Sequence, residues 1–156
     1  MKIYYREKSG GIEILRCFGI EGRVEIPGMI DGKLVISAVP YAFSSHMDEK
    51  EDLKNASLWE VSDGLEFGRE EHVLAGNDVE EIVFPYTLKE IGRYIFYGCG
   101  NLKKLEFSDS LMQIGCGAFT GCHALEKLTV HMRQGKKSGV KEMLGEMWQR
   151  IDVTFL

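Results

Sequence analysis

The chain has 156 residues, a length that suits one domain with a continuous core. Acidic residues outnumber basic ones by 24 to 19, while 44% of residues are apolar and 28% are charged, which is ordinary for a soluble globular protein. The net charge of −5 argues against a general affinity for nucleic acid or anionic membranes, and no apolar run of about eighteen residues occurs that could span a bilayer.

The first residues predict a β-hairpin. Ile3, Tyr4 and Tyr5 favour a strand, Ser9-Gly10-Gly11 favours a turn, and apolar residues up to Cys17 favour a return strand. We expect residues 1–21 to cover the open end of the structure that follows, because an exposed strand edge invites unwanted pairing. The opening MKIYYREKSGG lacks the apolar segment of a secretion signal, which favours the cytoplasm if Met1 is the natural start.

A first structural unit is predicted from Arg23 to His46. Its Val24-Glu25-Ile26-Pro27 matches Ile82-Val83-Phe84-Pro85 further along the chain. Between its anchors this unit is longer than the later ones, and the surplus surrounds Asp31-Gly32. An Asp-Gly pair between apolar flanks predicts a tight hairpin that projects from the unit.

The next segment is the least regular. The run MDEKED, residues 47–52, predicts a solvated loop, with an interaction segment as the alternative. After it, the pattern of residues 59–65 repeats that of residues 105–111, two periods further on. We therefore interpret residues 58–77 as a degraded unit, with Trp59 in its strand.

The segment from Ile82 to Val130 contains the same pattern twice, at an offset of 23 residues. The matched pairs are Ile82 with Leu105, Phe84 with Phe107, Leu88 with Leu111, Ile91 with Ile114, Gly92 with Gly115, Phe96 with Phe119, and Cys99 with Cys122. The glycine pair predicts a backbone turn that a larger side chain would strain. A period in the low twenties with an L-x-x-L-x-L frame is typical of a leucine-rich repeat coil.

The C-terminal region breaks this pattern. From Val140 to Trp148 the apolar residues recur at helical spacing, which predicts one helix with Ser138 as its N-cap. Ile151 and Val153 then lie 23 residues beyond Leu128 and Val130, which predicts a final strand in the old register.

These elements predict a mainly β, α/β repeat fold. The expected architecture is a leucine-rich repeat solenoid with one parallel strand per coil of about 23 residues. A single domain spans residues 1–156, with the hairpin cap at 1–21, the repeats at 22–137, and the helix and final strand at 138–156.

Alternation along the strands predicts which side chains enter the core and which point outward. Two apolar inward columns are expected: Trp59, Ile82, Leu105, Leu128 and Ile151, and Val61, Phe84, Phe107, Val130 and Val153. The outward side chains either form a charge-balanced solvated face or dock a partner, since solenoids present such surfaces to ligands. The candidate binding residues are Glu60, Glu81, Val83, Lys104, Glu106, Lys127, Thr129 and Arg150.

Four cysteines are present, at positions 17, 99, 116 and 122. Cys99 and Cys122 occupy the same place in successive coils, where a small buried thiol fits. Neither a C-x-x-C pair nor paired histidines at ligand spacing occurs, so we expect structural thiols without a metal, cofactor or disulfide.

The segments IGRYIFYGCGNLKKLEF and IGCGAFTGCHALEKLTV resemble the bacterial BspA-like leucine-rich repeat. Departures include Val39 in place of a glycine, His46 in place of a cysteine, and Ser62 and Ser108 in place of a proline. The resemblance implies adhesion and protein binding, often on secreted or surface proteins, and supplies no catalytic residues.

The leading functional interpretation is a non-enzymatic module that binds a protein through the outward sheet face. Self-association through the C-terminal strand edge and an assembly role within a longer chain are alternatives. An enzyme site would centre on His72 beside Glu70 and Glu71, because catalytic motifs are lacking elsewhere. A basic loop with Arg133, Lys136 and Lys137 is the sole feature favouring nucleic acid.

Overall fold

The computed structural model describes residues 1–19, 22–46, 53–61, 72–73 and 79–156. Its elements in chain order are β1 (Lys2–Lys8), β2 (Gly11–Gly19), β3 (Arg23–Glu25), β4 (Met29–Ile30), β5 (Lys33–Ala38), β6 (Ser57–Glu60), β7 (His72–Val73), β8 (Glu81–Val83), β9 (Glu90–Ile91), β10 (Lys104–Ser108), β11 (Gln113–Ile114), β12 (Lys127–His131), α1 (Lys137–Leu144), α2 (Met147–Arg150) and β13 (Asp152–Phe155). Among these, neither helix has the length and apolar character that crossing a membrane requires.

The coils form a solenoid with a strand ladder on each of two sides. On one side β3, β8, β10, β12 and β13 lie in that order as a parallel sheet, which we call the first sheet. On the other side β11, β9, β5, β2, β1 and β6 form the second sheet, with β4 on β5 and β7 on β2. The predicted mainly β repeat solenoid is confirmed.

Inward side chains of the first sheet form two apolar columns between the sheets. Ile82, Leu105 and Leu128 are in register and 0% exposed, and Phe84, Phe107 and Val130 lie beside them at 2% or less. Behind these columns the rings of Phe43, Phe96 and Phe119 follow one another at centroid distances of 5.8 and 5.9 Å. The 23-residue repeat therefore does place equivalent residues side by side.

The N-terminal hairpin is confirmed, with Ser9 and Gly10 at φ of 52° and 78° in its turn. β2 pairs parallel with β5, so the hairpin extends the second sheet beyond the first coil. Arg16 is 4% exposed and donates to the backbone carbonyls of Tyr41 and His46 at 2.6 and 3.1 Å. The buried guanidinium thus ties the hairpin to the first coil. The Asp31-Gly32 turn is also confirmed, between antiparallel β4 and β5.

The predicted place of Trp59 in a coil strand is wrong, while residues 62–71 and 74–77 of the predicted degraded coil lie outside the described residues. β6, which contains Trp59, pairs antiparallel with β1 in the second sheet, with Trp59 opposite Ile3. β3 lies directly beside β8 instead, and Val24 takes the place beside Ile82 that we predicted for Trp59. The segment between the first two coils therefore supplies an edge strand to the hairpin, because β1 offers an open edge there.

The C-terminal register is also corrected. Leu128 pairs with Val153 and Val130 with Phe155, two residues later than predicted, so Ile151 is not in the inward column. The helix is present, but Gly145 ends α1 at a φ of 57° and α2 follows as a short turn. Ser138 is inside α1 and makes no cap, since the N-cap position is Lys136. The additional helical turn accounts for the shift.

The repeated glycines have a different purpose from the one predicted. A Cβ on Gly92 would lie 2.4 Å from the backbone nitrogen of Pro40, and one on Gly115 would lie 2.2 Å from that of Arg93. Neither residue has a positive φ. Glycine is required because the backbones of successive coils touch at this point, and not because of a turn conformation.

Candidate functional site

Outward side chains of the first sheet form two rows across its strands. The first row runs in register through Arg23, Glu81, Lys104, Lys127 and Asp152. The second row runs through Glu25, Val83, Glu106, Thr129 and Thr154. We call these ten residues the outward face. Neighbours in a row lie about 4.8 Å apart, because that is the spacing of hydrogen-bonded strands.

Six of the eight predicted binding residues lie on the outward face, and two do not. Glu60 is in β6 of the second sheet, where its carboxylate is 3.8 Å from the Lys2 ammonium. Arg150 is at the end of α2 and is paired at 3.0 Å with Glu146. Both residues were assigned to the face because the predicted positions of their strands were wrong. In the corrected register Asp152 lies beside Lys127.

Sequence reasoning missed the strand that completes the face. Arg23 and Glu25 lie beside Glu81 and Val83, and the Arg23 guanidinium pairs with Glu25 and with Glu81, the latter at 3.4 Å. The signal was available, since Val24-Glu25-Ile26-Pro27 matches Ile82-Val83-Phe84-Pro85. The false match of Trp59 placed another coil between them.

A groove of about 430 Å³ opens above the second row, where the strands end. It is lined by Glu25, Ile26, Gly28, Val83, Phe84, Pro85, Tyr86, Thr87, Glu106 and His131. Most of this lining is apolar, and its polar side chains are the two carboxylates, the imidazole, and the hydroxyl-bearing Tyr86 and Thr87. An apolar groove with a few converging polar groups is the usual form of a binding site.

One wall of the groove is a small network of polar and aromatic side chains. His131 Nε2 is 2.9 Å from a carboxylate oxygen of Glu106, and the Tyr86 ring packs edge-on to the imidazole at a centroid distance of 5.6 Å. The Arg133 guanidinium lies 4.2 Å above the Tyr86 ring. These contacts hold the wall in one arrangement although Tyr86 is 47% exposed.

The loop behind this wall is held by Asp109, which is 0% exposed. Its carboxylate accepts hydrogen bonds from the backbone N–H groups of Arg133, Gln134 and Lys136 at 2.8 to 3.0 Å. Burial opposes the charged form, but these bonds and one from Gly135 prevail and lower the pKa of Asp109 below its usual value. Asp109 therefore fixes the position of Arg133.

The four cysteines are free thiols. Cys99 and Cys122 do occupy equivalent places, and each Sγ donates at 3.3 Å to a carbonyl of the preceding coil, that of Phe43 or Phe96. Burial raises the pKa of Cys122 to about 12 and that of Cys17 still further. These two groups are therefore protonated, weakly reactive packing residues.

The candidate enzyme site falls partly outside the described residues. Glu70 and Glu71, beside His72, lie outside the described residues, so the proposed enzyme site is not described. Across the ranges that the structure does describe, no group of three or more His, Cys, Asp or Glu side chains is placed to hold a metal ion.

The strand ladder and its 23-residue coils define a leucine-rich repeat solenoid. Residues 70–139 match the family described as BspA type leucine rich repeat region (6 copies). No curated protein matches the chain.

Two solved bacterial proteins share the fold. One is a leucine-rich repeat protein from T. pallidum, with 21% identity and a TM-score of 0.59 over 88% of this chain and 54% of that one. The other is a leucine-rich cell surface protein from Faecalibacterium prausnitzii A2-165, with 18% identity and a TM-score of 0.52 over 98% of this chain and 41% of that one. The chain thus spans about half the length of these proteins.

Proposed function

We propose that this chain is a non-enzymatic protein-interaction module that binds its partner through the outward face and the adjoining groove. The main support is the pair of rows, which places ten side chains at a fixed pitch on a hydrogen-bonded sheet, nine of them accessible and Thr129 buried. The columns beneath are buried, so a partner meets a surface that is already ordered. Little conformational entropy is then lost on binding. Solenoids commonly bind proteins on such surfaces.

In the described ranges, the buried charged side chains all have structural roles, which supports a non-enzymatic function. Among the described residues the charged side chains that are buried are Glu13, Arg16 and Asp109. Arg16 ties the hairpin to the first coil, and Asp109 holds the loop behind the groove. Glu13 pairs with Arg6 at 2.6 Å and with Lys8 at 3.2 Å, which stabilises the hairpin. Each of the three has a structural task.

Reversing charges on the face tests the proposal. Lys104 and Lys127 are exposed neighbours with no ion pair to any described residue, so Lys104→Glu with Lys127→Glu changes the charge of the face without removing an ion pair. After affinity capture of the partner with wild-type protein, this variant should bind it at least about tenfold more weakly. The matched control is Lys54→Glu with Lys89→Glu, which makes the same change in net charge at two exposed lysines away from the face. Equal loss in both variants, or in neither, would contradict the proposal.

Self-association is a second candidate, and β13 favours it. Asp152 donates its N–H to the carbonyl of Glu126, just before β12, and Leu156 donates to that of Val130 in β12. The N–H groups of Val153 and Phe155 therefore point to the other edge, where the described residues provide no strand partner. Such an edge can pair with a second copy. Val153→Pro removes one of these donors. In sedimentation velocity measured across concentrations, the wild type should therefore dimerise and the variant should not.

The cytoplasmic location stays a prediction, which cell fractionation tests.

A further inference from the structure

We infer that the groove accepts a lysine or arginine side chain from a basic segment of the partner. The inference rests on the proposed function, because it assigns a chemistry to part of the same surface. It depends on the juxtaposition of two carboxylates, an apolar floor and an aromatic wall within one cavity.

The two carboxylates bracket an apolar gap. In the second row Glu25 and Glu106 are the immediate neighbours of Val83 on either side. Two strand spacings separate their backbones by about 10 Å. A cationic head group above Val83 is then within reach of both carboxylates, while an uncharged donor there would form hydrogen bonds without the added attraction between opposite charges. Charge complementarity therefore selects a cation for this position.

Both carboxylates keep room for another donor. Glu106 is bonded to the His131 ring through Oε2, and Glu25 is paired only with Arg23 among the described residues. An ionised carboxylate can accept about four hydrogen bonds, so each retains accepting capacity. Glu25 is exposed and its pair with Arg23 is a surface pair, which stabilises the fold little and can be shared with a ligand.

The remaining lining suits the stem of a long basic side chain. Val83 and Pro85, which are partly exposed, provide apolar surface along which a lysine or arginine can lay its methylene groups while its head stays with the carboxylates. Ile26 and Phe84 are buried beneath this surface. The Tyr86 ring, which carries the Arg133 guanidinium at 4.2 Å, adds aromatic surface to this wall. A volume of about 430 Å³ exceeds what one such side chain needs and leaves space for its neighbours in the segment.

An anionic ligand fits the groove less well. The carboxylates of Glu25 and Glu106 line it, whereas Lys104 and Lys127 lie in the first row and are not part of the lining. Those cations would instead meet an acidic residue of the same partner segment outside the groove. Basic and acidic side chains of the partner segment would therefore bind at different places on the outward face.

Blocked pentapeptides of the form acetyl-Gly-Ser-Xaa-Ser-Gly-amide test the inference by NMR titration of the ¹⁵N-labelled full chain. The central residue is arginine, lysine, glutamate or citrulline, which keeps the shape of arginine without its charge. We expect the arginine and lysine peptides to shift the backbone amides of Val83, Tyr86 and Glu106. Their Kd should be at least about fivefold lower than that of the citrulline peptide, since charge-assisted bonds are roughly twice as strong as neutral ones.

Three variants complete the test. Glu25→Gln and Glu106→Gln should each weaken arginine-peptide binding by about threefold or more, whereas Glu80→Gln removes an exposed carboxylate outside the groove and should leave it unchanged. Equal binding of the citrulline peptide, shifts confined to other surfaces, or no shifts at all would overturn the inference. In any of those cases the proposed function survives if Lys104→Glu with Lys127→Glu still releases the captured partner. If that variant retains the partner, the proposed function fails independently of the peptides.

Discussion

At the scale of single residues, glycine at position 115 is required by a close approach between coils. Its Cβ would meet the Arg93 backbone, which cannot move without separating the coils. We expect Gly115→Ala to lower the free energy of unfolding by about 2 to 3 kcal/mol, measured by urea denaturation. Gly100→Ala is the matched control, because nothing lies within 4 Å of a Cβ there, and it should change stability by less than about 1 kcal/mol. Equal effects would contradict the close approach.

Asp109 makes stability depend on pH in a definite direction. Its pKa is lower in the folded protein than in the unfolded chain, so its contribution is complete above the unfolded value of about 3.9 and is lost as pH falls through the lower folded value. Asp109→Asn should cost about 3 kcal/mol at pH 7, since charged hydrogen bonds to three or more N–H groups are lost.

Denaturation at pH 7 and pH 3 measures this effect. The difference between wild type and Asp109→Asn should shrink at the lower pH, where the wild-type carboxyl begins to protonate. Asp152→Asn alters an exposed carboxylate on the outward face and should behave like wild type at both values. A pH-independent difference for Asp109→Asn would show that its charge is not the reason for its effect.

At the scale of elements, the inward columns hold the strands in register. Leu105 lies between Ile82 and Leu128 and is 0% exposed, so Leu105→Ala leaves a cavity between two neighbouring coils. The expected loss is about 3 to 5 kcal/mol in urea denaturation. Lys104→Ala, the adjacent outward position, should cost less than about 0.5 kcal/mol. A small loss at Leu105 would mean that the columns contribute less to stability than their burial suggests.

Sequence reasoning predicted the regular elements because each is fixed by local pattern. Ile82, Leu105 and Leu128 recur at one period, and Asp31-Gly32 defines its own turn. The outward residues between them followed from alternation alone. The groove did not, because His131 and Tyr86 come from different coils and no pattern along the chain links them.

The errors occurred where a pattern had two physical solutions. Trp59 matches the repeat, yet β6 pairs with β1, because a strand edge of the hairpin competes with the solenoid for it. Ile151 also matches the repeat, but the helical turn before it takes up two more residues of chain. In both cases the position of the strand depends on its pairing with a strand distant in sequence. The local sequence pattern does not determine that pairing.

At the scale of the whole molecule, the account depends on β3 lying directly beside β8. Only that neighbour relation brings Glu25 to the groove and places Arg23 in the first row. Without it the outward face begins at Glu81, and the pair of carboxylates around Val83 does not exist. The proposed docking surface and its preference for a basic side chain would both be lost.

Disulfide trapping tests most directly whether β3 lies beside β8. Register partners in adjacent strands have Cα atoms about 5 Å apart, within the range of about 4.4 to 6.8 Å that a disulfide requires. Mild oxidation of the double variant Glu25→Cys, Val83→Cys should therefore give an intramolecular crosslink between the two introduced cysteines. The control variant Glu60→Cys, Val83→Cys should give none. Mass spectrometry of the digested protein identifies the crosslink. Crosslinking of the second pair and not of the first would contradict the account.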